Sequence, residues 1–336
     1  MNYRRLGRSD LQVSEISLGC WTMGGKNWVE NHMNGWADVD EDEVTTALKL
    51  AVDRGVNHFD NADVYGNGRA ERMLARCLKK LGLRSEDYII ATKVGHFCGT
   101  AEHAYDPLHI RQQLEQSLKN LQREYVDIYY LHHGDFGPQG EWLDGAAATL
   151  NALVQEGKVR VKGQSAYTSE HFARAVPVVR PAVLQSIGNI LCPQFFLPDS
   201  SVGRLLEAGE MSFVAFSPLH QGVLLGKYNP HCPPVFEPGD IRSQDPKFKG
   251  PELNRLNPFL EAMKSRFGSE PARLAAVAMR YVLNHPRVAC VIPGFRNARQ
   301  VEQNLTTETQ CLSEADMAWI QNEVASSPNE ARPAPA

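Results

Sequence analysis

Side chains of complementary chemistry stand at the ends of three successive β-rich runs. The run Asn57–Asn61 ends with Asp60 close to its edge and Tyr65 on the loop beyond, in the stretch HFDNADVYG. The run Tyr88–Val94 carries Lys93, and the run Val126–His132 delivers His132 with His133 directly after it. Each residue alone has a plain explanation, because strand-end lysines are commonly solvated and tyrosines after strands commonly pack. Together they form an acid–base unit. A phenol with an ordinary pKa of about 10 is a poor acid near neutrality. A neighbouring ammonium favours the phenolate and is expected to lower that pKa, while a carboxylate keeps the ammonium charged and in place. Such a set can give a proton to a carbonyl oxygen as hydride reaches the carbonyl carbon.

For these residues to meet, the three runs must lie side by side with their ends at one rim. The chain is patterned accordingly. Strands are predicted at Ile16–Cys20, Asn57–Asn61, Tyr88–Val94, Val126–His132, Val159–Ser165, Ala182–Gly188, Ser212–Phe216 and Ala289–Ile292. Between them, apolar residues recur at helical spacing. Glu41–Arg54 puts Val44, Ala47, Leu48 and Ala51 on one face, Arg69–Leu81 does so with Met73, Leu74, Cys77 and Leu78, and Ile110–Leu121 with Leu114, Leu118 and Leu121. Further helices are predicted at Gly145–Glu156, Ser200–Ala208, Glu252–Phe267 and Ala272–His285.

Strand–helix alternation of this kind means an α/β fold with a parallel sheet. Eight strands fit a closed (β/α)8 TIM barrel, whose active sites sit at the C-terminal strand ends. An open doubly wound sheet also fits the alternation, but no GxGxxG follows the first run. The segment before Ile16 (YRRLG, then LQVSE) reads as a β-hairpin able to plug the barrel's N-terminal end. Asn229–Gly250, rich in Pro and charge, is long enough to be a functional loop or lid. Residues 1–324 are expected to form one barrel domain, and the Pro/Ala/Ser-rich tail 325–336 to be flexible.

Composition narrows the partners. The apolar content is that of an ordinary globular protein, so no metal or disulfide staple is needed. A net charge of −4 gives no broad positive field for nucleic acid or an anionic membrane. The seven cysteines are scattered, with no CxxC pair, and read as reduced thiols. With neither a signal-peptide core nor a spanning apolar run, the chain is expected to be cytoplasmic. The His132–His133 pair has no nearby third ligand at useful spacing, so no metal site is expected.

Beyond the strand-end set, the sequence resembles the aldo-keto reductases from about Tyr3 to Asn304. FDNADVYG is similar to the family's FDTAxxYG, IIATKVG to its strand ending in Thr-Lys, and VDIYYLHH to its VDLYxxH. GKVRVKGQSA, VAFSPLHQGVLLGKY and VIPGFRNARQVEQN resemble further family segments, in the family's order. The resemblance implies NADP(H)-dependent interconversion of a small aldehyde or ketone and an alcohol. Tyr65 would be the general acid, Lys93 and Asp60 would tune it, and His132 would orient the carbonyl. Ser165 and Gln185 match residues that hold the nicotinamide carboxamide, and Phe216 the aromatic stacked on the ring. Ser217, Leu219 and Gly222 match a segment along the pyrophosphate. Arg296 and Asn297 match the grip on the adenosine 2′-phosphate, and Gln300 and Asn304 the adenine contacts. Arg242 either adds a cation over the phosphates or is a solvated loop arginine.

Two departures fall near the nicotinamide. The family's Ser-Asn is Ser165-Ala166 here, and its frequent Gln-x-x-Tyr is Gln185-Ser186-Ile187-Gly188. Trp21 and His133, with Trp28, Trp36 and Phe97, lie on or near rim loops, where they either wall a substrate pocket or pack; Trp21 is the best pocket candidate. Two other functions compete. The family includes potassium-channel β subunits, so a catalytically weak NADP(H)-sensing protein is the alternative. A phosphate-binding barrel lyase or isomerase would leave IPGFRNARQVEQN without a purpose.

Overall fold

The computed structural model describes residues 1–29, 32–37, 39–309 and 311–326. Eight strands form one parallel sheet in sequence order. They are β1 (Leu18–Gly19), β2 (His58–Asp60), β3 (Ile89–Val94), β4 (Val126–Leu131), β5 (Val159–Ser165), β6 (Val183–Ile187), β7 (Ser212–Phe216) and β8 (Val288–Ile292). The two edges meet. Ser17 N–H donates to the Val291 carbonyl at 3.0 Å, Val291 N–H to Glu15 at 3.0 Å, and Gly19 N–H to Pro293 at 3.1 Å. This is the (β/α)8 barrel expected from the sequence.

The helices are α1 (Glu41–Asp53), α2 (Arg69–Lys80), α3 (Pro107–Leu121), α4 (Leu143–Gln155), α5 (Ser169–Val179), α6 (Ser201–Ala208), α7 (Gly250–Phe267), α8 (Pro271–Leu283), α9 (Ala298–Leu305) and α10 (Glu314–Ser326). Polar caps set several starts. The Asp40, Asp106, Thr168 and Asn297 side chains accept first-turn N–H groups of α1, α3, α5 and α9. Three helices are absent from the expected set. α5 is short and carries Pro177 inside it, while α9 and α10 follow the last strand. α10 runs two residues into the expected tail, to Ser326, and the rest of that tail lies outside the described residues.

Strand parity explains what fills the barrel. Ile89 and Ala91, Ile128 and Tyr130, Val161, Val183, Val214 and Cys290 form one buried inner cluster. Their strand neighbours, such as Phe59, Ile90, Tyr129 and Leu184, belong to the separate layer beneath the helices. Residues alternate faces along a strand, so one further step of two places Lys93, His132, Gln185 and Phe216 on the inward side at the top. The inner layer is tightly fitted: a Cβ at Gly163 would stand 2.3 Å from the Tyr130 ring.

The bottom is closed by the N-terminal hairpin, Tyr3–Arg5 paired antiparallel with Gln12–Ser14. Leu6, Leu11 and Val13 belong to the inner cluster. Buried Glu15 then anchors the hairpin, accepting from Arg280 Nη2 at 2.8 Å and Arg4 Nη2 at 2.9 Å. Burial pushes the Glu15 carboxyl up, but Arg280 and then Arg4 outweigh it and hold it below the usual carboxylate range.

A folded-state pKa below the unfolded one contributes stability above the ordinary carboxylate pKa and loses it as pH falls through the folded value. Glu15→Gln keeps the shape and removes the charge. It should cost on the order of 3 kcal/mol at neutral pH and reduce the further loss on acidification. Urea denaturation at neutral and acidic pH measures both effects. Equal stability of the two proteins at neutral pH would show that the ion pairs do not anchor the hairpin.

Candidate active site

Lys93 has no exposed surface, so each of its three N–H donors needs an acceptor. It donates to the Asp60 carboxylate in a very short contact, to the Asn61 carbonyl at 2.7 Å and to Tyr65 Oη at 3.2 Å. The other Asp60 oxygen accepts from Gln185 Nε2 at 2.7 Å. Tyr65 is fixed by the turn that carries it. A Cβ at Gly66 would lie 2.2 Å from the Gly24 carbonyl oxygen, so this close crossing of two loops requires glycine.

The direction of the Lys93–Tyr65 bond matters. Because Lys93 donates, the phenol's own hydrogen is left to be given elsewhere. Burial, and next the Asp60 carboxylate, push the Tyr65 phenol well above its ordinary value. The lowering expected from Lys93 is therefore not seen: burial, joined by the Asp60 charge, sets the direction. Tyr65 stands as a protonated phenol. His132 lies across from it with ring centroids 5.9 Å apart. Burial, then His96 and Lys93, hold the imidazole well below its usual pKa, so it is neutral.

Aromatic rings wall the opposite side. Trp21 stacks on Tyr65 at 6.1 Å, and Trp36 meets Trp21 edge-on at 5.3 Å. Trp36 also carries the Arg242 guanidinium at 4.7 Å, with Phe236 on that cation at 4.3 Å. Arg242 pairs with both Asp240 oxygens, at 2.9 and 2.6 Å. It is a buried, paired residue, which removes the solvated alternative. Ile241 N–H donates to the Gly35 carbonyl at 2.9 Å. The loop around Trp36 and the long loop after β7 are thus locked together over the rim.

The remaining sequence candidates fall into two groups. Ser165 and Phe216 end β5 and β7, and the buried Ser165 Oγ has no hydrogen-bond partner among the described residues. Beyond Phe216, Ser217 has φ 51° and its carbonyl accepts from Asn189 Nδ2 at 3.0 Å. Leu219 and Gly222 follow in a tight turn, with Gly222 at φ 95°. Burial, then Arg242, lowers the Arg296 guanidinium, and burial followed by Arg242, Arg296 and Arg299 lowers the Lys227 ammonium. These cations crowd one another as an anion site would require. Asn297 Oδ1 caps α9 by accepting from Gln300 N–H at 3.1 Å, and Gln300 Oε1 accepts from Arg296 N–H at 2.8 Å. Both amides shape the turn that presents Arg296. Asn304 is buried behind it, donating to the Gly294 carbonyl at 3.5 Å.

His133 is differently employed. Its Nε2 donates to the Gly95 carbonyl at 2.5 Å, its Nδ1 accepts from Asp135 N–H at 3.1 Å, and its backbone exchanges two hydrogen bonds with Tyr105 Oη. Both ring nitrogens hold loops. Ala166 is fully buried, and its N–H donates to the Gln185 carbonyl at 3.1 Å. At Gly188 a Cβ would stand 2.7 Å from that of Ala215, leaving no room for a tyrosine on this backbone. His96, Tyr167 and Lys227 are not singled out by the sequence. His96 and Tyr167 each stand two residues beyond a strand end, Val94 and Ser165, and that position is the signal the sequence offers.

The model of the Aldo/keto reductase family matches residues 15–324. The chain is 29% identical over 324 residues to a probable voltage-gated potassium channel subunit beta of Arabidopsis thaliana, covering 91% of this chain and 90% of that one. It is 30% identical over 337 residues to the L-glyceraldehyde 3-phosphate reductase of Escherichia coli K12, covering 94% and 92%. Among solved structures, the glycerol dehydrogenase of Gluconobacter oxydans superposes with a TM-score of 0.75 at 25% identity, covering 99% and 98%.

Locking of the two rim loops gives a direct expectation for Trp36→Ala. Losing the ring removes a cation–π contact worth about 0.5–2 kcal/mol and the packing on Trp21. Limited proteolysis should then cleave both 27–40 and 229–250 faster than in the parent. Faster cleavage in only one of them would mean that the loops are not coupled.

Proposed function

The chain belongs to the aldo/keto reductase family, and from that premise we propose that it is an NADPH-dependent oxidoreductase interconverting a small aldehyde or ketone and its alcohol, with Tyr65 as general acid. The observation that carries this reading is the Lys93–Tyr65 bond, in which the phenol accepts from the ammonium and keeps its own proton for a substrate oxygen.

The residues suit the cofactor. The orphaned Ser165 hydroxyl and the half-buried Phe216 ring offer a polar and a flat apolar contact for a nicotinamide. Lys227 and Arg296 offer charge for phosphate. A bound nicotinamide supplies hydride at the carbonyl carbon. Neutral His132 orients the carbonyl against Tyr65. As negative charge grows on the substrate oxygen, Tyr65 transfers its proton there, leaving an alcohol and a phenolate. That phenolate is met by the Lys93 ammonium, whose charge Asp60 maintains. In the alcohol-oxidising direction the same proton returns to Tyr65.

Tyr65→Phe should lower kcat by roughly 10²–10⁴ while leaving NADPH affinity nearly intact, because the lost donor acts on the substrate. Steady-state kinetics and cofactor fluorescence titration check the two halves. A variant keeping a third of the parent's kcat would remove Tyr65 from the mechanism. A parent protein that binds NADPH but turns over no carbonyl would favour a nucleotide-sensing role instead.

Cofactor choice is a separate expectation. Arg296 presents a permanently charged fork suited to phosphate. Arg296→Ala should weaken NADPH binding by roughly tenfold or more and change NADH binding little. Equal losses for both cofactors would make Arg296 a structural residue.

A further inference from the structure

Two residues just beyond the described strand ends meet over the barrel. His96 follows β3 and Tyr167 follows β5, and Tyr167 Oη lies 3.3 Å from His96 Nε2. The His96 ring stands 4.2 Å from the His132 ring, crossing it at 75°. The Tyr167 ring stands 6.2 Å from the Phe216 ring at 71°. The pair therefore spans the mouth between the residue that orients the carbonyl and the aromatic on the nicotinamide side. Neither residue is needed to move the hydride or the proton.

The chemistry of the pair is specific. Burial and the nearby His133 and Lys93 hold the His96 imidazole down to about 3, and burial raises the Tyr167 phenol above its ordinary value. Both are neutral. Joined by one hydrogen bond, an imidazole and a phenol still offer a substrate an acceptor lone pair, and opening that bond frees a donor too. A hydroxyl group, which donates and accepts at once, matches this. Among the described residues, a carboxylate or phosphate finds the nearby Lys93 already committed to Asp60, Asn61 and Tyr65. An alkyl group would cover polar atoms without bonding them, which is costly in a buried site. The short distance between the His96 and His132 rings suits two oxygens on adjacent carbons, one of them the carbonyl oxygen.

We propose that His96 and Tyr167 form the specificity element for the carbon next to the carbonyl, selecting neutral α-hydroxy aldehydes and ketones over their unsubstituted counterparts. This rests on the reductase reading above. The test compares lactaldehyde with propanal, which differ by one hydroxyl, using the full chain and NADPH. The parent should show a higher kcat/KM for lactaldehyde, mainly through KM. Tyr167→Phe, which removes a single oxygen from a ring and so spares the packing, should reduce the lactaldehyde-to-propanal ratio roughly three- to tenfold. A purely structural Tyr167 would affect both substrates alike, so an unchanged ratio with propanal still reduced overturns this proposal and leaves the reductase reading intact. Oxidation of NADPH by neither aldehyde, nor by any other carbonyl, overturns the reductase reading and this proposal with it.

Discussion

A lysine without exposed surface at the top of a barrel is stable as a cation only if a counter-charge and a full set of acceptors surround it. Lys93 has both, in Asp60, the Asn61 carbonyl and Tyr65. Removing either charge would strand the other in a low-dielectric site, at a cost of several kcal/mol. The constraint therefore reaches outward: Gln185 must hold the free Asp60 oxygen, and the Gly24–Gly66 crossing must hold Tyr65. Three strand ends and one loop are pinned to a single ammonium. Burial first, and the Asp60 charge next, keep Tyr65 a protonated phenol whose oxygen accepts from Lys93.

The barrel makes this arrangement possible by separating stability from chemistry. Below the ion pair, the inner cluster and the N-terminal hairpin supply apolar contact, and Glu15 with Arg280 and Arg4 secures the lower end. Above it, the same parity brings in the polar side chains of Lys93, His132 and Gln185 beside the Phe216 ring. The rim loops add the aromatic wall of Trp21 and Trp36, tied to the long loop through Arg242. Ring and cation contacts run from Arg242 through Trp36 and Trp21 to the Tyr65 ring.

Much of this was legible in the sequence, and for a physical reason. Buried parallel strands are short apolar runs, and a residue type such as Lys93 or Asp60 at the end of such a run stands out against them. Seven of the eight barrel strands match the predicted runs to within a residue at each end, and β1 lies inside its run. What stayed hidden depends on a weak local pattern or on contacts that appear only in the fold. Helix α5 is short, and Pro177 weakens its pattern. The role of His133 is set by Gly95, Asp135 and Tyr105, and that of Arg242 by Trp36 and Phe236, none of which spacing could connect. The raised phenol of Tyr65 is invisible in the sequence, because the desolvation and the Asp60 field that oppose an ammonium arise only in the fold.

The most direct test follows the hydride itself. NADPH carrying deuterium at the transferable C4 position would be mixed with the protein and a carbonyl substrate, and the alcohol analysed by mass spectrometry and NMR. One deuterium is expected on the former carbonyl carbon of each product molecule, with a hydroxyl hydrogen that comes from the enzyme and solvent. Alcohol formed without deuterium on that carbon, or cofactor oxidised with no alcohol formed, would contradict it.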